Sequence, residues 1–377
     1  TAKEVINTPI AELVEKLEIE NALKKIAKTE LVAVKIHESN HVPQISAYIV
    51  DSPYDEKVLW EKCRLSMPFY LMPQKINILS DLPYTKNGKV DYKNLVFSPI
   101  SSAFIDLEMY DESRKRRIHL ACWYPTSVKP EDFIYKKYFQ GNVAFLGPCF
   151  RGFYPLIIIS HGMGGNRFNQ HYLAEHLSAN GNVVIAIEHE QDTNENQNLS
   201  YLTFENLWHR NEDVQYVLDH ISYVFKYAAY INMQQIIFLG YSLGATTGLS
   251  LLIPVSKNNS DFKIEPLKKF SFIGMILLAP ALASIFSSSE LSEISIPILL
   301  AISGKDEFLT EDNDLYQRNL KKYQLLFFQE AGHFVYLMEC HPEIKKQTPE
   351  ISIDLNMDRA EVHKKLKKEI LKFCHEC

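Results

Sequence analysis

The stretch "IIFLGYSLGATTG", residues 236–248, decides the fold of this chain. Its large apolar residues stop at Gly240, one serine lies between two glycines, and small residues follow. This is the pattern G-x-S-x-G, placed between an apolar strand-like run and a helix-like segment. A strand that reverses so sharply into a helix strains the serine backbone and exposes the hydroxyl at the carboxyl end of the sheet. The pattern predicts that Ser242 is a nucleophile; the alternative is an ordinary tight turn.

The segments around this turn alternate between solid apolar runs and helical spacing. Runs of this kind that occur between helices are typical of buried parallel strands. We therefore predict an α/β fold with a mostly parallel sheet and helices on both faces. The predicted strands are "IHLACWYP", 155–160, 182–189, "QIIFLG", "FIGMILLAP", "IPILLAISG" and "YQLLFFQEA", and the predicted helices include 169–181 and "NLWHRNEDVQYVLDHIS". Phe327 and Phe328 are expected in the core.

A serine hydroxyl is a weak nucleophile unless a base accepts its proton. Asp306 follows the predicted strand in "PILLAISGKDEFL", and His333 follows the next one in "FFQEAGHFVYL". The order serine, acid, histidine is the order expected for this kind of sheet. We predict that His333 accepts the proton and that Asp306 orients the imidazole. Asp306 comes first after its strand, but other acids remain alternatives: Glu307, Asp312 and Asp314.

Two backbone N–H groups are needed to stabilise an oxyanion. Leu243, directly after the serine, is expected to supply one. The second is expected from Met163, in the glycine-rich stretch "HGMGG" that follows a buried strand. A phosphate-binding loop is the alternative for this stretch, but no G-x-x-x-x-G-K-[ST] pattern is present.

Residues 106–375 resemble the predicted dienelactone hydrolases, a family of α/β-hydrolases similar to plasma-type platelet-activating-factor acetylhydrolases. The resemblance is carried by "DESRKRRIHLACWYP" (111–125), "ISHGMGGNRFNQHYLAEHLSANGNVVIAIEH" (159–189), "GYSLGATTGLSL", "LLAPAL", "SGKDE" and "EAGHFVYLMEC". It implies an α/β-hydrolase fold and metal-free ester hydrolysis, with the triad Ser242, Asp306 and His333 and an oxyanion hole at Met163 and Leu243.

Two details of this resemblance concern the substrate. Tyr241 stands where that family usually has histidine, so it is a candidate for contact with substrate. His189 ends a strand at a position that lines the active-site mouth in the family, and the alternative is a surface histidine. Dienelactone hydrolases proper use a cysteine nucleophile, whereas none of the six cysteines here lies in such a turn.

The first hundred residues carry a different signature. "MPFYLMPQKINILSDLPYTKNGKVDYKNL" (67–95) resembles the C-terminal subdomain of peptide-synthetase adenylation domains. The resemblance implies that Lys89 is the lysine that contacts carboxylate and phosphate during adenylation, and it suggests an upstream adenylation domain and a carrier protein as partners. The large ATP-binding subdomain is absent from this sequence, so ATP use by this chain alone is not expected. We predict domains at 1–97 and 105–377, joined by a linker at 98–104, with a small α+β fold for the first.

Composition bounds the remaining functions. The 40 basic and 46 acidic residues give a net charge of −6, which offers no reason to expect nucleic-acid binding. The apolar runs are too short or too broken for a membrane span. The cysteines show no framework spacing, so a reduced, cytoplasmic setting is expected. The terminal "CHEC" is interpreted as an inert tail, no metal or cofactor is expected, and "RKRR" (114–117) is interpreted as a solvated charge run.

Three functions remain open at this point. The first is a serine hydrolase that cleaves carboxylic esters through an acyl-enzyme. The second is a release or editing thioesterase of a peptide synthetase, and the third is a catalytically idle interaction module.

Overall fold

A computed structural model describes residues 9–39, 42–68, 71–73, 75–95, 100–197, 204–256, 263–339, 341–352 and 357–377. The chain divides into two compact units. The first comprises Thr1–Ile100 with Phe150–Phe153 and Glu376, and the second comprises Ser101–Cys149, Tyr154–His375 and Cys377.

The first unit is a small α+β structure, as predicted. Its elements are α1 (Pro9–Ala27), β1 (Val32–Ser39), β2 (Val42–Val50), α2 (Glu56–Ser66) and β3 (Lys75–Leu79). The strands form a sheet in the order β1-β2-β3, with β1 antiparallel and β3 parallel to β2. The first turn of α2 is capped by the Asp55 carboxylate, which accepts from Val58 N–H at 2.8 Å.

The second unit is built on one large sheet, which has ten strands within the described residues, in the order β17-β16-β15-β12-β8-β9-β5-β4-β7-β6. Neighbouring strands from β17 to β9 are parallel, and β5 is antiparallel to both β9 and β4. The bounds of these strands are β4 Ser101–Asp111, β5 Arg116–Thr126, β6 Glu131–Lys136, β7 Phe139–Phe145, β8 Tyr154–Ser160, β9 Val183–Glu188, β12 Ile231–Tyr241, β15 Phe272–Leu278, β16 Ile298–Ser303 and β17 Tyr323–Phe328. The predicted mostly parallel sheet is confirmed.

Helices and two short ribbons complete this unit. The helices are α3 His171–Ser178, α4 Phe204–Val224, α5 Leu243–Ser250, α6 Ser288–Glu293, α7 Thr310–Asn319, α8 Pro342–Gln347 and α9 Arg359–Glu376. The ribbons pair β10 (Asp192–Thr193) with β11 (Asn196–Gln197) and β13 (Val255–Ser256) with β14 (Lys263–Ile264). Every residue of β8 is buried. Because successive side chains of a strand point to opposite faces, both faces of the sheet are covered at β8.

Two expectations need correction. The predicted linker 98–104 overlaps β4, which begins at Ser101 and pairs with β5 along its whole length; residues 98 and 99 lie outside the described residues. Ala103 and Phe104 are buried there, so the apolar residues after the break belong to the sheet. Phe328 is buried as expected, but Phe327 is 47% exposed, because alternate residues of the edge strand β17 face outward.

Candidate active site

Ser242 lies in a sharp turn between β12 and α5. Its backbone has φ 52° and ψ −118°, a strained conformation for a residue with a side chain. The two flanking glycines allow it, because a Cβ at Gly240 would lie 2.3 Å from the Gly244 carbonyl oxygen, and a Cβ at Gly244 would lie 2.0 Å from the Ser160 carbonyl oxygen. The serine is half-buried at the carboxyl end of a central strand. The turn therefore has the geometry of a nucleophile elbow.

Asp306 and His333 meet at the same edge of the sheet. His333 Nδ1 lies 2.7 Å from Asp306 Oδ2, and the Asp306 side chain is fully buried. Backbone hydrogen bonds join the segments that carry them: Gly304 N–H donates to Phe328 O at 2.9 Å, and Lys305 N–H donates to Ala331 O at 3.0 Å. These bonds tie the end of β16 to the turn after β17, which brings the carboxylate and the imidazole together.

The rival acids are used elsewhere or lie in solvent. Glu307 is exposed. Both carboxylate oxygens of Asp312 accept backbone N–H groups, from Leu282 at 3.1 Å and from Ala283 at 2.7 Å. Asp314 is exposed and pairs with Arg318 at 3.3 Å. Among these four acids, Asp306 is the one for which the structure records a bond to His333.

Tyr241 links the serine turn to the histidine. Its hydroxyl donates to the backbone carbonyl of His333 at 3.2 Å, and the two ring centroids are 5.2 Å apart. Burial, and then the nearby Asp306 carboxylate, raise the pKa of Tyr241 well above its ordinary value. The prediction that Tyr241 lines the substrate site needs correction, because the residue is buried and packs directly beneath the histidine. Its contact places His333 beside the residue that precedes Ser242.

The glycine-rich stretch forms a tight turn against Ser242. Gly165 N–H donates to Gly162 O at 3.0 Å, and Gly164 adopts φ +67°, which closes the turn around Met163. A Cβ at Gly162 would lie 3.2 Å from Ser242 Cβ, so the turn and the serine are in close contact. Within the parts of the chain that the structure describes, no acceptor is recorded for Met163 N–H. Leu243 N–H is the first of α5 and has no acceptor within the helix.

His189 is buried, contrary to both interpretations of its sequence position. Its Nδ1 lies 2.9 Å from Asp213 Oδ2, and its Nε2 lies 2.9 Å from Ser160 Oγ. An ionised carboxylate can only accept, so Nδ1 carries the proton and Nε2 accepts from the serine hydroxyl. Burial and the positive charge of Arg210 lower the pKa of His189 to about 4. The residue belongs to an internal hydrogen-bonded chain and is not at the mouth of the site.

The basic run 114–117 is solvated only in part: Lys115 and Arg117 are exposed as predicted, whereas Arg114 and Arg116 are not. Arg116 is 4% exposed and binds Asp213 through two nitrogens, at 2.8 and 3.0 Å. Arg114 Nη1 lies 3.0 Å from the same carboxylate. Burial raises the pKa of Asp213, but the hydrogen bond from His189 and the charge of Arg116 outweigh it and hold this pKa far below its usual range. Opposite charges from distant elements therefore pair inside the fold.

Two buried residues escaped the sequence analysis altogether. Arg210 on α4 and Asp192 on β10 form an ion pair at 2.7 Å beneath the glycine-rich turn. A signal was available for Arg210, since it lies three and four residues from Leu207 and Val214, on the helix face that is buried. A charge on the apolar face of a helix indicates a buried partner.

The sequence also singled out Lys89, in the first unit, and the terminal residues 374–377. Lys89 is exposed in a turn in which its N–H donates to Thr85 Oγ1 at 3.3 Å. The terminal "CHEC" continues α9, and burial raises the pKa of the Cys374 thiol. Over the described ranges, no group of three or more His, Cys, Asp or Glu side chains could hold a metal ion. No described helix is long and apolar enough to cross a bilayer.

Three kinds of known protein are similar to this chain. The family "Platelet-activating factor acetylhydrolase, isoform II" matches residues 142–197. The solved ferulic acid esterase of Streptomyces cinnamoneus is 15% identical, with a TM-score of 0.55, and the match covers 75% of this chain and 91% of that one. A dienelactone hydrolase of Anabaena variabilis is 12% identical, with a TM-score of 0.45, over 71% of this chain and 98% of that one.

The likeness to the ferulic acid esterase shows the class of fold. The large, mostly parallel sheet with its serine turn is an α/β-hydrolase fold, as the resemblance implied.

A curated relative supports the second resemblance. Bacitracin synthase 1 of Bacillus licheniformis is 40% identical over 80 residues, which is 21% of this chain. The chain spans about 2% of the length of that synthase. The resemblance to a peptide synthetase is thus confirmed for a part of the chain only.

Proposed function

We propose that this protein is a serine hydrolase that cleaves carboxylic esters through an acyl-enzyme. The observation that carries the proposal is the 2.7 Å contact between His333 Nδ1 and Asp306 Oδ2, at the sheet edge that also carries Ser242 with φ 52°. The family match at residues 142–197, which covers the glycine-rich turn, supports it.

The chemistry follows from the protonation that this contact requires. Asp306 accepts the Nδ1 proton, which leaves the His333 Nε2 lone pair for the serine proton. Ser242 Oγ attacks the carbonyl carbon of the ester while His333 takes its proton. The same proton then passes to the departing alcohol, and water repeats the sequence on the acyl-enzyme.

The oxyanion requires donors with no other partner. The Met163 and Leu243 N–H groups flank Ser242, one on the glycine-rich turn and one at the first residue of α5. In this proposal both N–H groups donate to the carbonyl oxygen as it becomes negative. Hydrogen bonds from fixed donors in a site that excludes water stabilise a developing charge much more than the same bonds in bulk solvent.

The test is hydrolysis of p-nitrophenyl acetate and butyrate by the whole chain. We expect turnover by the wild type and its loss in Ser242→Ala, with an unchanged far-UV circular dichroism spectrum. Asp314→Asn, a change at an exposed acid outside the cluster, is the matched control and should retain activity. Equal rates for wild type and Ser242→Ala would overturn the proposal and favour an interaction module.

A second candidate function keeps the same residues but changes the substrate to a thioester on a carrier protein. The partial identity to Bacitracin synthase 1 favours it, since it associates the chain with peptide-synthetase sequence. In this version an upstream adenylation domain and a carrier would be the partners, and Lys89 and ATP would have no role in this chain alone. Comparing kcat/KM for acyl-pantetheine thioesters and matched oxygen esters separates the two functions.

A further inference from the structure

The glycine-rich turn rests on a buried ion pair that the proposed reaction does not itself use. Arg210 is fully buried and Asp192 is 1% exposed. They come from different elements, α4 and β10, and pair at 2.7 Å. A buried ion pair is seldom stabilising overall, because both charges lose their hydration. These two charges are therefore expected to serve the position of the groups that they bind.

The guanidinium of Arg210 binds the carbonyl side of the turn. Its Nη1 donates to His161 O at 2.7 Å, and its Nη2 donates to Gly162 O at 3.3 Å. The Gly162 carbonyl also accepts from Gly165 N–H at 3.0 Å, so it is held from two directions. The planar, rigid fork of arginine directs its five donors at two successive carbonyls and a carboxylate, whereas a lysine ammonium is a compact point charge with three rotatable donors.

The carboxylate of Asp192 binds the amide side of the same turn. Its Oδ1 accepts from Gly164 N–H at 2.9 Å. Its Oδ2 accepts from Asn206 Nδ2 at 2.5 Å and from Arg210 Nε at 2.8 Å. The ion pair thus binds both of the peptide groups that flank Met163, one at Gly162 O and the other at Gly164 N–H.

His161 adds a third fixed point. Its Nε2 lies 3.1 Å from His189 N–H, which can only donate, so Nε2 is an acceptor and the proton is on Nδ1. Nδ1 then donates to Gly162 O at 2.7 Å. The contacts occupy Gly162 O, Gly164 N–H and Gly165 N–H, and within the described residues none is recorded for Met163 N–H.

We infer that Arg210 and Asp192 are positioning residues of the oxyanion hole: they orient the 161–165 turn so that Met163 N–H faces the carbonyl oxygen bound at Ser242. The inference rests on the proposed function, which it extends to two residues whose contacts, within the described part of the chain, are to the turn and not to Ser242. A displacement of about 1 Å in such a donor costs about a hundredfold in rate.

The test compares Arg210→Lys and Asp192→Asn with Val217→Ala. Val217 is buried on the same helix, so its truncation controls for lost stability at an intact turn. At a temperature where all variants are folded, we expect the two turn variants to lose about 10–100-fold in kcat, with KM within about threefold of wild type. The Ki of a trifluoromethyl ketone, which forms an oxyanion on the serine, should rise by a similar factor. Val217→Ala should unfold earlier in urea but keep kcat and Ki.

Unchanged kcat and Ki in a folded Arg210→Lys would overturn the inference. If that variant does not fold, Asp192→Asn decides, because it keeps the shape of the side chain while it removes the charge and replaces one acceptor oxygen by an NH2 donor. Hydrogen exchange over peptides within 156–168 gives a readout that needs no activity. Exchange at Gly164 should be faster in Asp192→Asn than in wild type, and equal rates would refute the role of the Asp192 carboxylate in holding the turn. An inactive wild type would refute the proposed function instead, while the exchange result still reports on the turn.

Discussion

His333 Nδ1 and Asp306 Oδ2 are 2.7 Å apart, with the carboxylate fully buried and the imidazole 10% exposed. Phe308 N–H donates to the other carboxylate oxygen at 3.1 Å, so both oxygens of Asp306 are engaged. This leaves the carboxylate little freedom to turn away from the ring, which is the arrangement required of a residue that sets the tautomer of a catalytic base.

Asp306→Asn is therefore expected to reduce kcat by about 10³–10⁴-fold, because the amide favours the wrong histidine tautomer while filling the same volume. Ester hydrolysis at saturating substrate measures this loss. Glu307→Gln changes the adjacent, exposed acid and should leave kcat within about twofold, as surface changes usually do. A comparable loss in both variants would contradict the assignment of the acid.

The strained backbone of Ser242 makes a prediction about stability. Both Ser242→Ala and Ser242→Gly should lose activity, because each removes the hydroxyl. Glycine adopts φ 52° without a side-chain clash, so the free energy of unfolding of Ser242→Gly should exceed that of Ser242→Ala by about 1 kcal/mol. Urea denaturation of the two variants measures the difference, and an Ala variant that is equally stable would argue against strain at this turn.

Gly244→Ala should be strongly destabilising, for a steric reason. The added Cβ would lie 2.0 Å from the Ser160 carbonyl oxygen, which belongs to the central strand β8 and cannot move cheaply. We expect a loss of about 3 kcal/mol or more in the free energy of unfolding. Gly147→Ala is the control within the same unit, because its Cβ would approach Ala144 Cβ no closer than 3.1 Å. A smaller loss at Gly244 than at Gly147 would contradict the close packing of α5 on β8.

Stability should fall as the pH drops below about 6.5. Burial and Arg210 lower the pKa of His189 to about 4, and burial and Arg210 also lower that of His161. In the unfolded chain these histidines have a pKa of about 6.5, so at pH 5 the unfolded state binds protons that the folded state does not. Protons therefore favour unfolding in this window.

The urea midpoint at pH 7.5, 6.0 and 5.0 measures this effect. We expect it to decrease steadily, and to decrease less in His189→Gln, which cannot take up the proton. The lowered pKa of Asp213 acts in the same direction at still lower pH, because its stabilising charge is lost as pH falls through the folded-state pKa. A midpoint that stays level or rises towards pH 5 would contradict the buried, neutral state of His189.

Much of the fold and the triad candidates could be predicted from local pattern. The unbroken apolar run of β8 and the glycines around Ser242 restrict the backbone through neighbouring residues alone. Asp306 and His333 could be placed at one sheet edge because each follows a parallel strand, and the carboxyl ends of such strands meet there. The helix predicted at 169–181 is shorter in the structure, where it begins at His171 and ends at Ser178, so the difference is confined to its ends.

What only the tertiary structure decided is which charges are buried and what they bind. Arg116 and Asp213 are 97 residues apart, and Asp192 and Arg210 are 18 apart on different elements. Arg114 and Arg116 of the basic run are ion-paired with Asp213, because a buried charge is tolerated only where another segment supplies its partner. Local periodicity carries no information about that partner. The sequence by itself determined the sheet, the serine turn and the candidates for the triad, because these depend on neighbouring residues. The packing of α4 and β10 against the glycine-rich turn determined the support beneath them.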